Sequence, residues 1–475
     1  MLRTDARTAA AALAEFCAGI EWSSVPAIVR ERTQELVLDL VGVALRGSRA
    51  PSSAPVVAVA RRLGPGQGAS LIGRDAFASA PWAALANAAS AHALELDDVT
   101  ARSSLHPGVV VIPTALAVAE ELHRSPTRVL EAIVAGYEVT IRVGDALNAE
   151  SAYQRGFHPT GVAGVFGAAI AAGRLLELDV EGLIRAVGIA GTMASGSLEY
   201  LTEGSWTKRL NPGWAAHSGV VAAHLASEGF VAPASALEGR HGLLRGYTDD
   251  PRPELLTRDL GRSFAIMSVS IKPYACCRYN HGLIDGVLQL RRAHRLRAEQ
   301  VERIRLGVLS GGALLVAEPI DEKRTPRNVV DAQFSAPFAA AVALARGSAG
   351  LDDYTQMNVD DPVIRALMSR TECHRDAELD AAYPDHWPAT VEVLLRDGRE
   401  LSVRIPDPTG EPANPITPQQ LREKFLGLAS AVIGDGAARD LADLCLRLEL
   451  EPDLDRFTSL LRGPHADSSQ ADRTS

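Results

Sequence analysis

Lysine is scarce in this chain, although basic residues are not. Of its 48 lysine and arginine residues only four are lysines: Lys208, Lys272, Lys323 and Lys424. Arginine thus stands almost wherever either residue would serve. A lysine that remains is therefore a candidate for a task that needs a compact charge or a titratable amine. The alternative is that the four lysines survive by chance.

Other absences exclude whole classes of protein. The net charge is −10 and no basic stripe is present, which argues against a nucleic-acid partner. Glycine and arginine interrupt the apolar runs before they reach the length of a bilayer span. The first residues lack the apolar core of a secretory signal, and the five cysteines form no CxxC framework. We therefore expect a cytoplasmic protein without a membrane partner.

Patterns typical of metal sites are also missing. The sequence has no HExxH motif on any predicted helix, and its histidines and cysteines form no ligand array. The sequence therefore predicts no metal.

The stretch GFHPTGVAGVFGAAIAAG, residues 156–173, is the most distinctive one present. Pro159 suits the first turn of a helix, so His158 should lie at a helix N-terminus, where an anion is favoured. Glycine inside a helix costs about 0.5–1 kcal/mol, so three glycines at every third position predict the close approach of another backbone. His106-Pro107 repeats the pattern. The alternative is a core helix that begins with an exposed histidine.

Charged residues accompany both His-Pro sequences. Glu95, Asp97 and Asp98 lie about ten residues before His106, and two histidines with carboxylates can form an acid/base set. A solvated helix end is the commoner explanation of such a carboxylate cluster. Lys208-Arg209 is predicted in a loop before a third helix of small residues, which we place after Pro212-Gly213. The pair could bind a carboxylate or be an exposed basic pair.

A further cluster lies in KPYACCRYNH, residues 272–281. Lys272, Arg278 and His281 fall at a predicted strand-to-helix turn, which suits a polyanion. The adjacent Cys276 and Cys277 are interpreted as small apolar fillers. A cysteine–histidine nucleophile is the alternative, but no oxyanion motif accompanies it.

Helical patterns dominate the chain, and 475 residues exceed what one core normally holds. Residues 268–405 alternate in the manner of strands between helices, with a hairpin turn at Asp397-Gly398. We predict a helical domain from residues 1–267 plus 406–462, a smaller α+β domain at 268–405, and a disordered tail at 463–475.

From about residue 10 to 460 the chain resembles the MmgE/PrpD family. The motifs that carry the resemblance are HALELDD (92–98), HPGVVVIPTALAVAEE (106–121), GFHPTGVAGVFGAA (156–169), TKRLNPGWAAHSG (207–219), KPYACCRYNH (272–281) and DAQFSAPFA (331–339). The family includes 2-methylcitrate dehydratase, cis-aconitate decarboxylase and iminodisuccinate epimerase. The resemblance implies a mainly α fold, in which a smaller α+β lid domain is inserted before the C-terminal helices of a large all-helical domain. It also implies a homodimer without metal or organic cofactor.

The resemblance extends to the site. His106, His158 and Lys208 match the decarboxylase site, and Lys272 matches the lid lysine. The chain departs from the decarboxylase-like motif at Glu95, where that motif has aspartate, and at Val99, where it has threonine. The predicted catalytic residues are His106, His158, Lys208, Glu95 and Asp98, and the predicted substrate-binding residues are Lys272, Arg278, His281, Arg209 and Cys277.

We expect a cofactor-independent lyase that acts on a small di- or tricarboxylate, of the 2-methylcitrate dehydratase type. One neutral histidine takes a proton next to a carboxylate, and a second, protonated histidine delivers a proton to the leaving hydroxyl. Cationic side chains offset the charge that develops. The alternatives are a cis-aconitate-type decarboxylase, an iminodisuccinate-type epimerase, or a dimer that binds dicarboxylates without catalysis.

Overall fold

The computed structural model describes residues 7–463, and across them it contains 23 α-helices and eight strands. The predicted fold class, mainly α with a smaller α+β region, is confirmed. The tail that we predict to be disordered lies, from residue 464 onward, outside the described residues. No helix within the described residues is long and apolar enough to cross a membrane.

Helices α1 to α12 form the first part of the chain. Their bounds are α1 Ala9–Ala18, α2 Ala27–Gly47, α3 Ser53–Leu63, α4 Ala80–Ala91, α5 Gly108–Glu121, α6 Pro126–Leu147, α7 Ala149–Gln154, α8 Pro159–Leu175, α9 Val180–Met193, α10 Tyr200–Glu203, α11 Thr207–Ser227 and α12 Leu243–Tyr247. The strands here are β1 Ala69–Ser70, β2 Phe77–Ala78, β3 Val99–Thr100 and β4 Val269–Ser270.

The remaining elements belong to residues 275–405, which we call the lid region, and to the C-terminal helices. The helices are α13 His281–His294, α14 Ser310–Val316, α15 Ile320–Arg324, α16 Val329–Gln333, α17 Ala336–Arg346, α18 Gln356–Asp360, α19 Pro362–Ser369, α20 Ala377–Asp380, α21 Pro418–Ile433, α22 Asp435–Cys445 and α23 Asp455–Arg462. The strands are β5 Val301–Val308, β6 Thr371–Arg375, β7 Ala389–Leu395 and β8 Glu400–Ile405.

The glycine-rich helix α8 is packed closely by its neighbours. A Cβ atom added at Gly167 would lie 1.8 Å from Thr140 Oγ1 and 2.5 Å from the carbonyl oxygen of Gly136 in α6. At Gly161 it would lie 2.5 Å from the carbonyl oxygen of Ser195. The small residues of α8 therefore let neighbouring backbones approach closely. This close packing sets the position of the helix.

The lid region contains the only sheet of more than two strands among the described residues, in the order β6-β5-β7-β8. Strands β5 and β6 are parallel, whereas β5–β7 and β7–β8 are antiparallel. The predicted hairpin turn at Asp397-Gly398 joins β7 to β8, and Gly398 has φ +86°, which favours glycine.

Buried apolar residues form two clusters. One combines residues 10–271 with α21–α23, and the other combines residues 275–395 with Val43, Leu96 and Leu428. The C-terminal helices thus pack on the first part of the chain. The two-residue ladder of β3 and β4, with Val99 opposite Ser270, connects the acidic cluster to the segment that carries Lys272.

Two local predictions differ from the structure. Lys208 is not in a loop, because α11 begins at Thr207 and includes Pro212 in its interior. Pro212 removes the hydrogen-bond donor that the carbonyl of Lys208 would otherwise have within the helix. The second difference concerns residues 80–96, whose small and apolar residues predict one helix: α4 ends at Ala91, and a 3-10 turn leads to Glu95 in the left-handed region at φ +56°.

Candidate active site

A small cavity lies between the first part of the chain and the lid region. Its volume is about 30 Å³, which holds roughly one or two water molecules. The residues that line it are Glu95, Val99, Ser104, His106, Tyr153, His158, Tyr200, Lys208, Lys272, Cys277, Arg278, Tyr279, Leu315 and Phe334.

The ring of His106 is held through one nitrogen. Its Nδ1 lies 2.7 Å from the carbonyl oxygen of Asp98 and 3.0 Å from Asp97 Oδ2. A carbonyl oxygen can only accept, so the hydrogen is on Nδ1 and Nε2 keeps its lone pair. Burial lowers the pKa of His106 to about 4, although Asp97 raises it. His106 is therefore a neutral imidazole with a free basic nitrogen.

His158 has the opposite arrangement. It is the N-cap residue of α8, and its Nδ1 accepts a hydrogen bond from Asn211 Nδ2 at 3.2 Å. The same Nδ2 lies 3.3 Å from the carbonyl oxygen of Ser197, which fixes the orientation of the amide. The hydrogen of His158 is therefore on Nε2. Burial, followed by the charge of Lys208, holds its pKa well below the usual value.

A third histidine shares the carboxylate that holds His106. Asp97 Oδ2 accepts from His92 Nδ1 at 2.8 Å, and all three side chains are buried. Burial opposes the charged form of Asp97, but attraction to the two histidines outweighs it and holds the pKa of Asp97 well below the usual value. The ring centroids of His106 and His158 are 6.5 Å apart, and that of His92 lies 4.8 Å from His106.

His92, Asp97 and His106 also bring three possible metal-ligand atoms within 4.8 Å of one another. The spacing rules behind the predicted absence of metal do not cover this set. In the structure these atoms already satisfy one another through the N–H···O bonds to Asp97, so the geometry here is that of a hydrogen-bonded imidazole pair.

Glu95 holds two ammonium groups at the cavity. Its carboxylate is hydrogen-bonded to Lys208 Nζ, and its Oε2 lies 3.7 Å from Lys272 Nζ. Lys272 also donates to the backbone oxygen of Glu95 at 3.2 Å. Burial raises the pKa of Glu95, but the two lysines outweigh it and lower it to about 2. Two ammonium groups against one carboxylate leave a positive balance, which favours an anionic ligand.

Two protein-family models match this chain. The MmgE/PrpD N-terminal domain matches residues 11–256, and the MmgE/PrpD C-terminal domain matches residues 274–450. The chain belongs to the MmgE/PrpD family.

Relatives of this MmgE/PrpD chain extend over nearly its whole length. The cis-aconitate decarboxylase-like protein oryM of Aspergillus oryzae is 30% identical, over 98% of this chain and 100% of its own length. The cis-aconitate decarboxylase of Aspergillus terreus is 27% identical, over 97% of this chain and 98% of its own length. The human cis-aconitate decarboxylase is 26% identical, over 81% and 79%. Family and relatives together support a lyase of the dehydratase and decarboxylase type.

The structure brings together most, but not all, of the side chains that the family motifs indicate. His106, His158, Lys208, Glu95, Lys272, Arg278 and Cys277 line the cavity. The position of Asp98 differs from the predicted one. Its carboxylate accepts from Tyr137 Oη at 2.7 Å and from the Gly108 amide at 3.0 Å, and it does not line the cavity. Burial raises the pKa of Asp98 to about 7. Asp98 therefore holds the start of α5 and contacts His106 only through its backbone.

The positions of Arg209 and His281 also differ from the predicted ones. Arg209 donates to Ser52 Oγ at 2.9 Å and lines a different cavity. His281 is not among the lining residues, because its ring lies between Cys276 and Arg278. These side chains lie behind the wall of the site rather than in it.

Arg278 and Cys277 line the cavity, but the charge of Arg278 is balanced and the thiol of Cys277 is protonated. The guanidinium of Arg278 is held by Glu411, with Nε 2.7 Å from Oε1, so its charge is already balanced. Burial raises the pKa of Cys277, and burial raises that of Cys276 to about 12. Both thiols therefore stay protonated, which disfavours the cysteine–histidine nucleophile and agrees with small apolar fillers.

Sequence reasoning missed two residues behind the cavity, Asp97 and His92, and several residues that line it. Asp97 stood in the quoted acidic cluster, but nothing in the spacing distinguished it from Asp98. His92 opened the same motif and was not considered. The other missed residues are Ser104, Tyr153, Tyr200, Tyr279, Leu315 and Phe334. Tyr279 and Phe334 lie in the quoted motifs KPYACCRYNH and DAQFSAPFA, which could have indicated them. The others come from separate elements and carry no local pattern that would have identified them.

Proposed function

We propose that this chain is a cofactor-independent lyase that moves a proton beside a carboxylate of a small di- or tricarboxylate. The observation that carries the proposal is a pair of neutral imidazoles with opposite tautomers at one cavity with two ammonium groups. His106 offers a basic Nε2, and His158 offers an Nε2–H donor. Lys208 and Lys272 supply the positive charge that a polycarboxylate requires.

The tautomers assign the two histidines different roles. His106 acts as the base because its Nε2 is free, and His158 donates a hydrogen bond to a substrate oxygen. Burial lowers the pKa of both histidines, which disfavours the expectation that one of them is protonated beforehand. The ammonium groups of Lys208 and Lys272 are therefore the remaining acids, and Lys208 is the one we assign to proton delivery.

The cavity must widen before substrate binds. About 30 Å³ does not hold a tricarboxylate, and the Glu95–Lys208 ion pair occupies the site. A substrate carboxylate can take the place of Glu95 on Lys208, because both groups are anions that accept from the same ammonium. We therefore propose that substrate binding separates this ion pair and moves the lid region outward.

Decarboxylation is the first candidate reaction, supported by the relatives named as cis-aconitate decarboxylases. Loss of carbon dioxide leaves an electron pair on carbon, and that carbon takes a proton from an adjacent acid. Dehydration of the 2-methylcitrate type is the second candidate. Glu95 and Val99, the two departures from the decarboxylase-like motif, both line the cavity, which keeps this reaction, epimerisation and binding without catalysis as alternatives.

A panel of substrates followed by NMR in D₂O separates the reactions. The panel consists of cis-aconitate, 2-methylcitrate, citrate and iminodisuccinate. A decarboxylase gives a product that has lost one carboxylate and gained one deuterium on carbon. A dehydratase gives an unsaturated product, and an epimerase returns deuterated substrate. A non-catalytic binder converts none of the four, and that outcome would overturn the proposal.

Variants test the assigned residues. His106→Gln and His158→Gln should each lower turnover by at least ~10², the low end for general acid–base catalysis. His217→Gln is the matched control, because His217 lies on α11 with its ring stacked on Trp214, outside the cavity lining. Full activity in both site variants would contradict the assignment. The homodimer stays a prediction, which sedimentation of the purified chain would test.

A further inference from the structure

A second and larger cavity lies on the other side of the wall of the candidate active site. Its volume is about 660 Å³, within the range of about 300–1,000 Å³ that is usual for small-molecule sites. It is formed where the end of α2 and the beginning of α11 meet the lid region, and no residue is common to the linings of the two cavities.

Three guanidinium groups line this cavity without a carboxylate partner. Arg46, Arg49 and Arg209 form no ion pair with any acidic residue in the part of the chain that the structure describes. The lining includes one carboxylate, that of Asp352. Burial and then the charge of Arg49 lower the pKa of Arg74. Such an accumulation is unusual in a chain with a net charge of −10.

The position of Arg209 is the strongest of these observations. Lys208 and Arg209 both lie in the first turn of α11, where the partial positive charge of the helix N-terminus disfavours cations. Lys208 is hydrogen-bonded to Glu95, whereas the side chain of Arg209 donates to the hydroxyl of Ser52, at 2.9 Å, and is attracted by Glu95 without forming an ion pair with it. The guanidinium is also half-buried, and burial lowers its pKa. A partly buried cation at a positive helix end, with no ion pair among the described residues, favours an anionic ligand.

A simpler explanation accounts for only part of this arrangement. Arg46 lies in the last turn of α2, where the negative end of the helix favours a cation. That explanation cannot extend to Arg209, which lies at the opposite kind of helix end. It also leaves the cavity without a reason for its mixed lining, which joins the three arginines to Trp206, Leu94, Val329 and Leu351.

We propose that this second cavity binds a phosphorylated small molecule whose phosphates contact Arg46, Arg49 and Arg209. Guanidinium groups match the oxygens of phosphate in pairs, and three of them favour a ligand with at least two negative charges. The indole of Trp206, 49% exposed, offers a face on which an aromatic ring such as a nucleotide base can stack. Nucleotides combine both properties.

The wall between the cavities would connect such a ligand to the active site. Three pairs of adjacent residues place one member in the second cavity and the next in the first: Leu94 and Glu95, Arg209 and Lys208, and Gln333 and Phe334. The backbone of α11 thus joins Arg209 directly to Lys208, the residue that holds Glu95. The second cavity is positioned to adjust the Lys208–Glu95 ion pair.

Binding is measured with ATP and coenzyme A as probes, by calorimetry on the full chain and by the fluorescence of Trp206. At least one of the two probes should bind. Adenosine, which lacks phosphate, should bind at least ~10-fold more weakly than that probe. The double variant Arg46→Gln/Arg49→Gln should weaken binding at least ~10-fold. Arg61→Gln/Arg62→Gln, on the exposed face of α3, removes the same charge and should change binding less than ~3-fold.

Further variants separate this cavity from the active site. Trp206→Phe should remove the fluorescence change, while calorimetry still detects binding. His106→Gln should bind the probes as the wild-type chain does. The proposal is overturned if neither probe binds, if both arginine double variants weaken binding equally, or if His106→Gln abolishes binding while Arg46→Gln/Arg49→Gln leaves it intact.

Discussion

Asp97→Asn is the change that tests the proposed mechanism most directly. In the structure Asp97 Oδ2 accepts from both His92 and His106, and it helps to keep the hydrogen of His106 on Nδ1. Asparagine presents an amide that can donate instead, which favours the tautomer with the hydrogen on Nε2. That tautomer has no free basic nitrogen at the cavity, so the base is lost although the ring remains.

The magnitude follows from the bond that is lost. A hydrogen bond to a charged group contributes about 1.5–3 kcal/mol, and about 1.4 kcal/mol corresponds to tenfold. We therefore expect kcat/KM to fall by ~10 to ~10². The carbonyl of Asp98 still accepts from Nδ1 and limits the loss. The negative charge of Asp97 also raises the pKa of His106, which lies at about 4, so the variant moves this pKa lower. His106 is neutral at pH 7 in both proteins, and the loss at neutral pH therefore reports the tautomer.

The assay combines steady-state kinetics, on the best substrate of the panel, with NMR of the imidazole nitrogens. The NMR measurement identifies the tautomer of His106 even before a substrate is known. Asp98→Asn is the matched control, because that carboxylate contacts Tyr137 and the Gly108 amide and touches no histidine. The reasoning is refuted if both variants lose the same activity, or if Asp97→Asn keeps full activity with the hydrogen of His106 still on Nδ1.

Three further predictions concern stability, each measured by urea unfolding. Glu95→Gln leaves two buried ammonium groups without their carboxylate and should cost about 3–5 kcal/mol; no loss would contradict the ion-pair assignment. Gly167→Ala should cost about 1–3 kcal/mol through overpacking, whereas the matched Gly427→Ala, with nothing within 4 Å, should stabilise by about 0.4–1 kcal/mol. The pKa of His106 is about 4 folded and 6.5 unfolded, so its stabilising contribution is complete above pH 6.5 and falls as pH drops toward 4; in His106→Gln this pH dependence should be weaker.

The sequence predicted the parts of the site that depend on local structure. Proline after His158 predicted a helix N-terminus, and His158 is the N-cap of α8. Glycine at every third position predicted a close backbone, and Gly167 lies against Gly136. The scarcity of lysine indicated Lys208 and Lys272, and both ammonium groups contact Glu95. These inferences rest on helix geometry, steric limits and composition, which the chain carries in each short stretch.

Choices between adjacent residues were decided by tertiary structure. The sequence does not show whether the carboxylate of Asp97 or Asp98 faces a histidine, because a single left-handed residue, Glu95, sets the direction of the turn. It does not show that Lys208 points to Glu95 while Arg209 faces the second cavity, because that depends on how α11 is rotated against α2 and the lid.

What the sequence by itself determined was therefore the set of elements, their caps and the residue types available for acid–base chemistry. What only the tertiary structure decided was which polar atoms meet: the shared carboxylate between two imidazoles, the two tautomers, and the ion pair that closes the cavity. The physical reason is that a change of a few tenths of an ångström in the donor–acceptor distance decides whether a hydrogen bond forms. The groups that meet here are separated by up to about 180 residues in the sequence. Packing of the whole core sets those distances, and no short stretch of sequence contains them.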